Sequence, residues 1–275
     1  MTPIRVPVLA YHGYNVAGND YANNDHVALA EDLRWLAGAG WTVVPLELVV
    51  RSVIDGRGPE LPPRSIAITF DDATDLDWQD VEFGEFGPQR SLHGVLEDQR
   101  RSQPEKPAPH ATSFVIASPE ARSLLATKAL QHGHGMHDDW WRIANQSPLM
   151  RIGNHSWDHR HPLVVADAAA GREFLDVDHF GAAMEQVVRA GDYIGSVIGT
   201  RPRLFAYPWG QASPYLREVF FPVYRLLHGC TAAFSTEAGV VHSGADRWYL
   251  PRFVCGHHWR GQGELAQLLA HELGH

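Results

Sequence analysis

Short unbroken apolar runs alternate with longer stretches of helical periodicity along the whole chain. Val6–Tyr11, Ser65–Phe70, Ala111–Ala117 and Leu149–Gly153 carry apolar residues at consecutive positions, the pattern of strands buried on both faces. Thr42–Pro45, Leu204–Tyr207, Ala232–Ser235 and Tyr249–Val254 are shorter runs of the same kind. Between them, Val27, Leu33, Leu36 and Ala37 recur at helical spacing, which predicts a helix over Asp25–Ala39 stopped by Gly38 and Gly40. Further helices are predicted at Leu46–Ile54, Pro119–Gln131, Asp138–Asn145, Pro214–Leu227 and Gly263–Leu273. The longest covers Glu173–Ile198, with Phe174, Val177, Phe180, Val187, Val188 and Ile194 on one side.

Strands alternating with helices imply parallel βα units and an α/β barrel or open sheet, whose chemistry sits at the C-terminal strand ends. No repeat or linker divides the chain, so residues 1–275 read as one domain. Residues 73–110 interrupt the pattern with Pro and Gly, and read as a loop insertion with one helix near Arg90–Arg100.

Composition narrows the partners. The chain has 23 Lys+Arg against 32 Asp+Glu, a net charge of −9, which disfavours nucleic acid and anionic membrane surfaces. The two cysteines, Cys230 and Cys255, are too few for a disulfide framework and read as buried thiols. No stretch reaches the ~20 apolar residues of a membrane span, and the N-terminus lacks a leader pattern, so the expected location is cytoplasmic. Composition says nothing of oligomeric state. With 17 histidines, only histidine spacing is informative.

Two strand ends carry that spacing. Ser65–Phe70 delivers Asp71 and Asp72, and a later strand delivers Asn154-His155-Ser156-Trp157-Asp158-His159. Two imidazoles and a carboxylate suit Zn2+ and related divalent ions, with a position left open for water. On a helical turn, His155 and His159 would share one face at i, i+4. The terminal His271-Glu272-Leu273-Gly274-His275 also fits a zinc-protease pattern, but it lies at a fraying chain end and reads as a surface helix.

ITFDD and NHSWDH resemble the first two motifs of the polysaccharide deacetylases, the NodB-homology domains of carbohydrate esterase family four. FAYPWG at Phe205–Gly210 resembles the third motif, TAAFST and LPR the late strands, and VLAYHGY the N-terminal motif of the branch that includes biofilm poly-N-acetylglucosamine deacetylases. The resemblance implies a distorted (β/α)7-type barrel. It also implies a metal held by Asp72, His155 and His159, with Zn2+ expected and Co2+, Ni2+ and Mn2+ as alternatives. Asp71 matches the catalytic base, His12 the general acid, and the backbone N–H of Trp209 the oxyanion donor. Tyr207, Trp209 and, in the insertion, Trp78 are the aromatic residues expected to meet substrate.

Two departures stand out from the family pattern: Ala73 in place of glycine, and Ala206 in place of an arginine that orients the base. Arg252 is the expected substitute. The resulting expectation is hydrolysis of an N-acyl group, above all acetyl, from an amino sugar or short oligosaccharide. A non-sugar amide, imide or ester is the alternative substrate, and a catalytically weak carbohydrate-binding relative the second alternative. The insertion is expected to act as a lid favouring short substrates.

Overall fold

The apolar runs become strands of one curled sheet in the computed structural model, which describes residues 4–130, 134–166 and 171–274. The strands are β1 Val6–His12, β2 Thr42–Val43, β3 Ser65–Asp71, β4 Val81–Glu82, β5 Pro88–Gln89, β6 Ala111–Val115, β7 Met150–Asn154, β8 Leu204–Ala206, β9 Ala232–Phe234, β10 Val240–Val241 and β11 Phe253–Val254. The sheet order is β10-β1-β3-β6-β7-β8-β9, with β2 on β3 and β11 on β1, and only β10 runs antiparallel in it. β3 and β6 are buried along their whole length, as their continuous apolar sequence requires.

The segment after β10 brings the two ends of the sheet together. Leu250 bridges to Phe234 of β9, and three residues on, Phe253 and Val254 pair with Leu9 and Ala10 of β1. This curls the sheet into the half-barrel of a (β/α) fold, with Arg252 in the gap it spans. Tyr249–Val254 therefore forms a strand only at its last two residues, because its first half pairs with the opposite edge.

Helices cover the outside. Asp25–Gly38 begins at an Asn24 side chain that accepts from His26 and Val27 N–H, and packs against Leu92–Ser102. Pro119–Lys128 starts after a Ser118 cap with Pro at its first turn. The predicted end of that helix, Gln131, lies outside the described residues. Residues 180–198 form the long helix, shorter than predicted. Phe174 and Val177 are buried ahead of it in irregular chain, while Phe180 is left exposed. Burial, not helical periodicity, explains the apolar residues at 174 and 177.

The region 73–110 is ordered. Its helix occurs at Leu92–Ser102, and β4 and β5 form a small hairpin ahead of it. Arg90 ties the two together through Asp80 and Asp98. Both cysteines are buried and free. Among the described residues, no helix is long and apolar enough to cross a membrane. His271 is exposed on the last helix, and His275 lies outside the described residues.

Candidate active site

β3 ends at Asp71, whose parallel partner on β1 is His12, so two candidate side chains leave neighbouring strands at the same level. Asp72 follows in the left-handed region (φ 68°), as does Ala73 (φ 52°), the position where the family pattern has glycine. Ser156 (φ 74°), His159 (φ 61°), Arg160 (φ 46°) and Trp209 (φ 59°) share this conformation. Six of the seven left-handed non-glycine residues among the described residues thus gather at these strand ends. Such strain, of order 1–3 kcal/mol each, persists where the surroundings over-determine the geometry.

Asp72, His155 and His159 converge. Their ligand atoms all lie within 4.8 Å of one another. Asp72 Oδ1 is 3.4 Å from His155 Nε2 and 3.2 Å from His159 Nε2. Ligands about 2.0–2.1 Å from a tetrahedral ion stand about 3.3 Å apart, so these separations fit a divalent metal. Asp72 Oδ1 is also buried without a hydrogen-bond donor, a cost that a cation removes. His155 Nδ1 lies 2.9 Å from the Ala206 carbonyl, which fixes the ring and leaves Nε2 facing the carboxylate. His155 and His159 are not on a helix, as i, i+4 spacing suggested. A turn folds them together: Asn154 Oδ1 accepts from Ser156 N–H, and Ser156 Oγ accepts from His159 N–H.

Asp71 sits beside the triad in a bidentate pair with Arg252, at 2.7 Å on each oxygen. Arg252 is fully buried, and its remaining donors reach the Ser235 carbonyl and Thr69 Oγ1. Burial alone would raise the Asp71 carboxyl. The Arg252 guanidinium, then His155, outweigh it and hold the group below the usual carboxylate range. The gap left by Ala206 is thus filled from the closing segment.

Replacing Arg252 by methionine should move the acidic limb of the pH–rate profile upward, because Asp71 then ionises only at higher pH. It should also cost about 3–5 kcal/mol, the penalty for leaving one partner of a buried ion pair alone. A pH series on the folded variant checks the first effect and urea unfolding the second.

His12 lines the same cavity, with Nδ1 buried and unpartnered and the ring edge-on to Tyr14. Gly13 beside it has no room for a side chain: a Cβ would stand 2.5 Å from Asp77 Oδ1 and 3.0 Å from Thr74 Oγ1. Asp77 is fully buried and accepts from Ser113 Oγ. Burial, with the nearby Asp72 and Asp71 charges adding to it, pushes its carboxyl up to about 8, so it holds a proton at neutral pH.

An acid whose pKa is raised on folding loses stability as pH climbs from its unfolded value toward the folded one. Asp77→Asn should therefore be more stable than the parent near pH 8 by more than about 1 kcal/mol, with a smaller difference at pH 5. Urea unfolding at the two values measures it.

Trp209 is half-exposed. Its indole N–H donates to the His159 carbonyl (3.2 Å), and its ring lies edge-on to His159, 4.7 Å between centroids. In the turn that carries it, Gly210 N–H donates to the Tyr207 carbonyl and Gln211 N–H to the Pro208 carbonyl. Tyr207 is buried with its hydroxyl given to the Trp248 carbonyl, so it offers the cavity a ring wall and no free donor.

Trp78 is not brought to this cavity. It packs between His93 (4.0 Å) and Trp140 (6.2 Å) on the outer side of the sheet. Nor does the 73–110 segment cover the cleft at this cluster, where only its Thr74 lines the wall; Leu76 and Phe83 line an adjoining cavity instead. The apolar Leu76 and Phe83 pack with Val16 rather than fold over the cleft. Sequence reasoning missed Tyr14, His161, Thr236 and His257, which also line the cavity at the cluster. Only Tyr14, two residues after His12, carried a signal.

These features define an α/β half-barrel with a buried Asp-His-His cluster at its C-terminal strand ends. No protein-family model and no curated protein sequence matches the chain. Solved structures do. The deacetylase PplD of Streptococcus pyogenes, described in complex with acetate, is 17% identical with a TM-score of 0.65, covering 97% of this chain and 99% of that one. A de-N-acetylase from Aggregatibacter actinomycetemcomitans is 17% identical with a TM-score of 0.65, over 96% and 100%. IcaB from Ammonifex degensii is 20% identical with a TM-score of 0.64, over 95% and 96%. The chain has the distorted (β/α) barrel of the NodB-type polysaccharide deacetylases.

Proposed function

We propose that this chain is a metal-dependent hydrolase that removes an N-acyl group, acetyl in the first instance, from an amino sugar. One observation carries the reading: the Asp72–His155–His159 cluster stands beside an Arg252-held Asp71 at the strand ends of a fold shared with solved de-N-acetylases. When bound, the ion, Zn2+ by its donor set, supplies a Lewis acid for the amide carbonyl and lowers the pKa of water.

The chain's own residues do the rest. Asp71, ionised and aimed by Arg252, takes the proton of the attacking water. The Trp209 N–H, held in a left-handed turn, faces the oxygen on which charge develops. His12, which lines the cavity, gives a proton to the departing amine. The expectation of short substrates rested on a lid, and the position of residues 73–110 withdraws that support.

Measuring acetate and free amine released from N-acetylglucosamine oligomers tests the reading; absence of both at every length, with metal supplied, would overturn it. His12→Ala should lower turnover of amides by about 100-fold or more. Activated esters, whose leaving groups need no proton, should lose less. Equal losses would reduce His12 to a structural role.

A further inference from the structure

The cavity at the Asp72–His155–His159 cluster has about 430 Å3 of space, more than an acetyl group fills. One part of its lining is an apolar wall made by Ile116, Leu125, Ala129, Leu130 and Met136. Ile116, Leu125 and Met136 are packed together and at most 5% exposed, a fixed base for the more exposed Ala129 and Leu130. It does not end there. Tyr14, Ala129 and Leu130 also line a second cavity of about 490 Å3, walled further out by Val16, Leu76 and Phe83. Those three residues form their own buried cluster.

Position decides which part of a substrate meets this surface. A carbonyl carbon carries three substituents. The general acid His12 ends β1, which assigns the amine to that side. Trp209 follows β8, which assigns the oxygen to that side. The wall begins at Ile116, directly after β6, and β6 lies between β3 and β7 in the sheet, away from both. The remaining substituent, the acyl chain, faces the wall.

We propose that this site takes N-acyl groups longer than acetyl, with the chain lying along the Ile116–Met136 wall. The inference rests on the hydrolase reading and narrows its substrate to N-acylated amino sugars bearing a medium-length aliphatic chain. Each methylene moved from water onto such a surface gains up to about four-fold.

The test is kcat/KM for a series of N-acylglucosamines, acetyl, butyryl, hexanoyl and octanoyl, with Zn2+ supplied, together with the octyl glycoside of N-acetylglucosamine. The expected result is a rise with acyl length, at least about tenfold from acetyl to hexanoyl. In Ala129→Trp, where a large ring at an exposed position of the wall crowds the cavity, the hexanoyl-to-acetyl ratio should fall by a similar factor. A decline or flat profile beyond acetyl would overturn the inference while leaving the deacetylase reading intact. A gain confined to the octyl glycoside would also overturn it, because the wall would then serve the aglycone. Release of no acyl group from any member would overturn the hydrolase reading and this inference with it.

Discussion

Asp72→Ala and His159→Ala should each lose bound metal and, with it, turnover. Each residue supplies one of the three atoms that lie within 4.8 Å of one another, and two ligands do not hold a zinc-type ion against water. Losing even an outer partner of a metal ligand costs 10- to 100-fold, so the loss of a ligand should exceed about 100-fold in affinity. Elemental analysis after dialysis reads the occupancy directly. The substitutions differ in their effect on the protein without metal. Removing Asp72 leaves two buried imidazoles without the carboxylate between them, whereas removing His159 leaves Asp72 Oδ1 facing His155 Nε2 at 3.4 Å. Retained stoichiometric metal in both variants would sink the assignment.

Asp71→Asn should separate proton transfer from metal binding. The carboxylate lies beside the cluster but is held by Arg252, so the variant should keep its metal while kcat falls by about 100- to 10,000-fold. Asparagine preserves the shape and one acceptor, but leaves the buried guanidinium without its counter-charge, so thermal unfolding must be measured alongside. A variant that loses metal together with activity would make Asp71 a ligand rather than a base.

The reach of the sequence differed from element to element for physical reasons. β3 and β6 were legible because they are buried along their whole length, and β7 because it is buried everywhere but at Arg151. The β4–β5 hairpin and β10 were not, because two-residue strands carry no period to read. The Asp71-Asp72 pair and His155 and His159 were legible from residue type and spacing, yet the turn that unites the histidines was not. Two of its left-handed residues, Ser156 and Arg160, are of types that do not announce that conformation. Arg252 could be nominated from the absence of an arginine at 206. Its placement depends on the chain crossing between β9 and β1, which no local pattern encodes. Trp78 illustrates the opposite error: an aromatic residue near the site in sequence was drawn into packing with His93 and Trp140 instead.

The most direct test of the account is acetate release from an N-acetylglucosamine oligomer, followed through one cycle of metal removal and return. The account predicts that chelation abolishes release and that one equivalent of Zn2+ per chain restores it. Undiminished release from protein shown to be metal-free would contradict it.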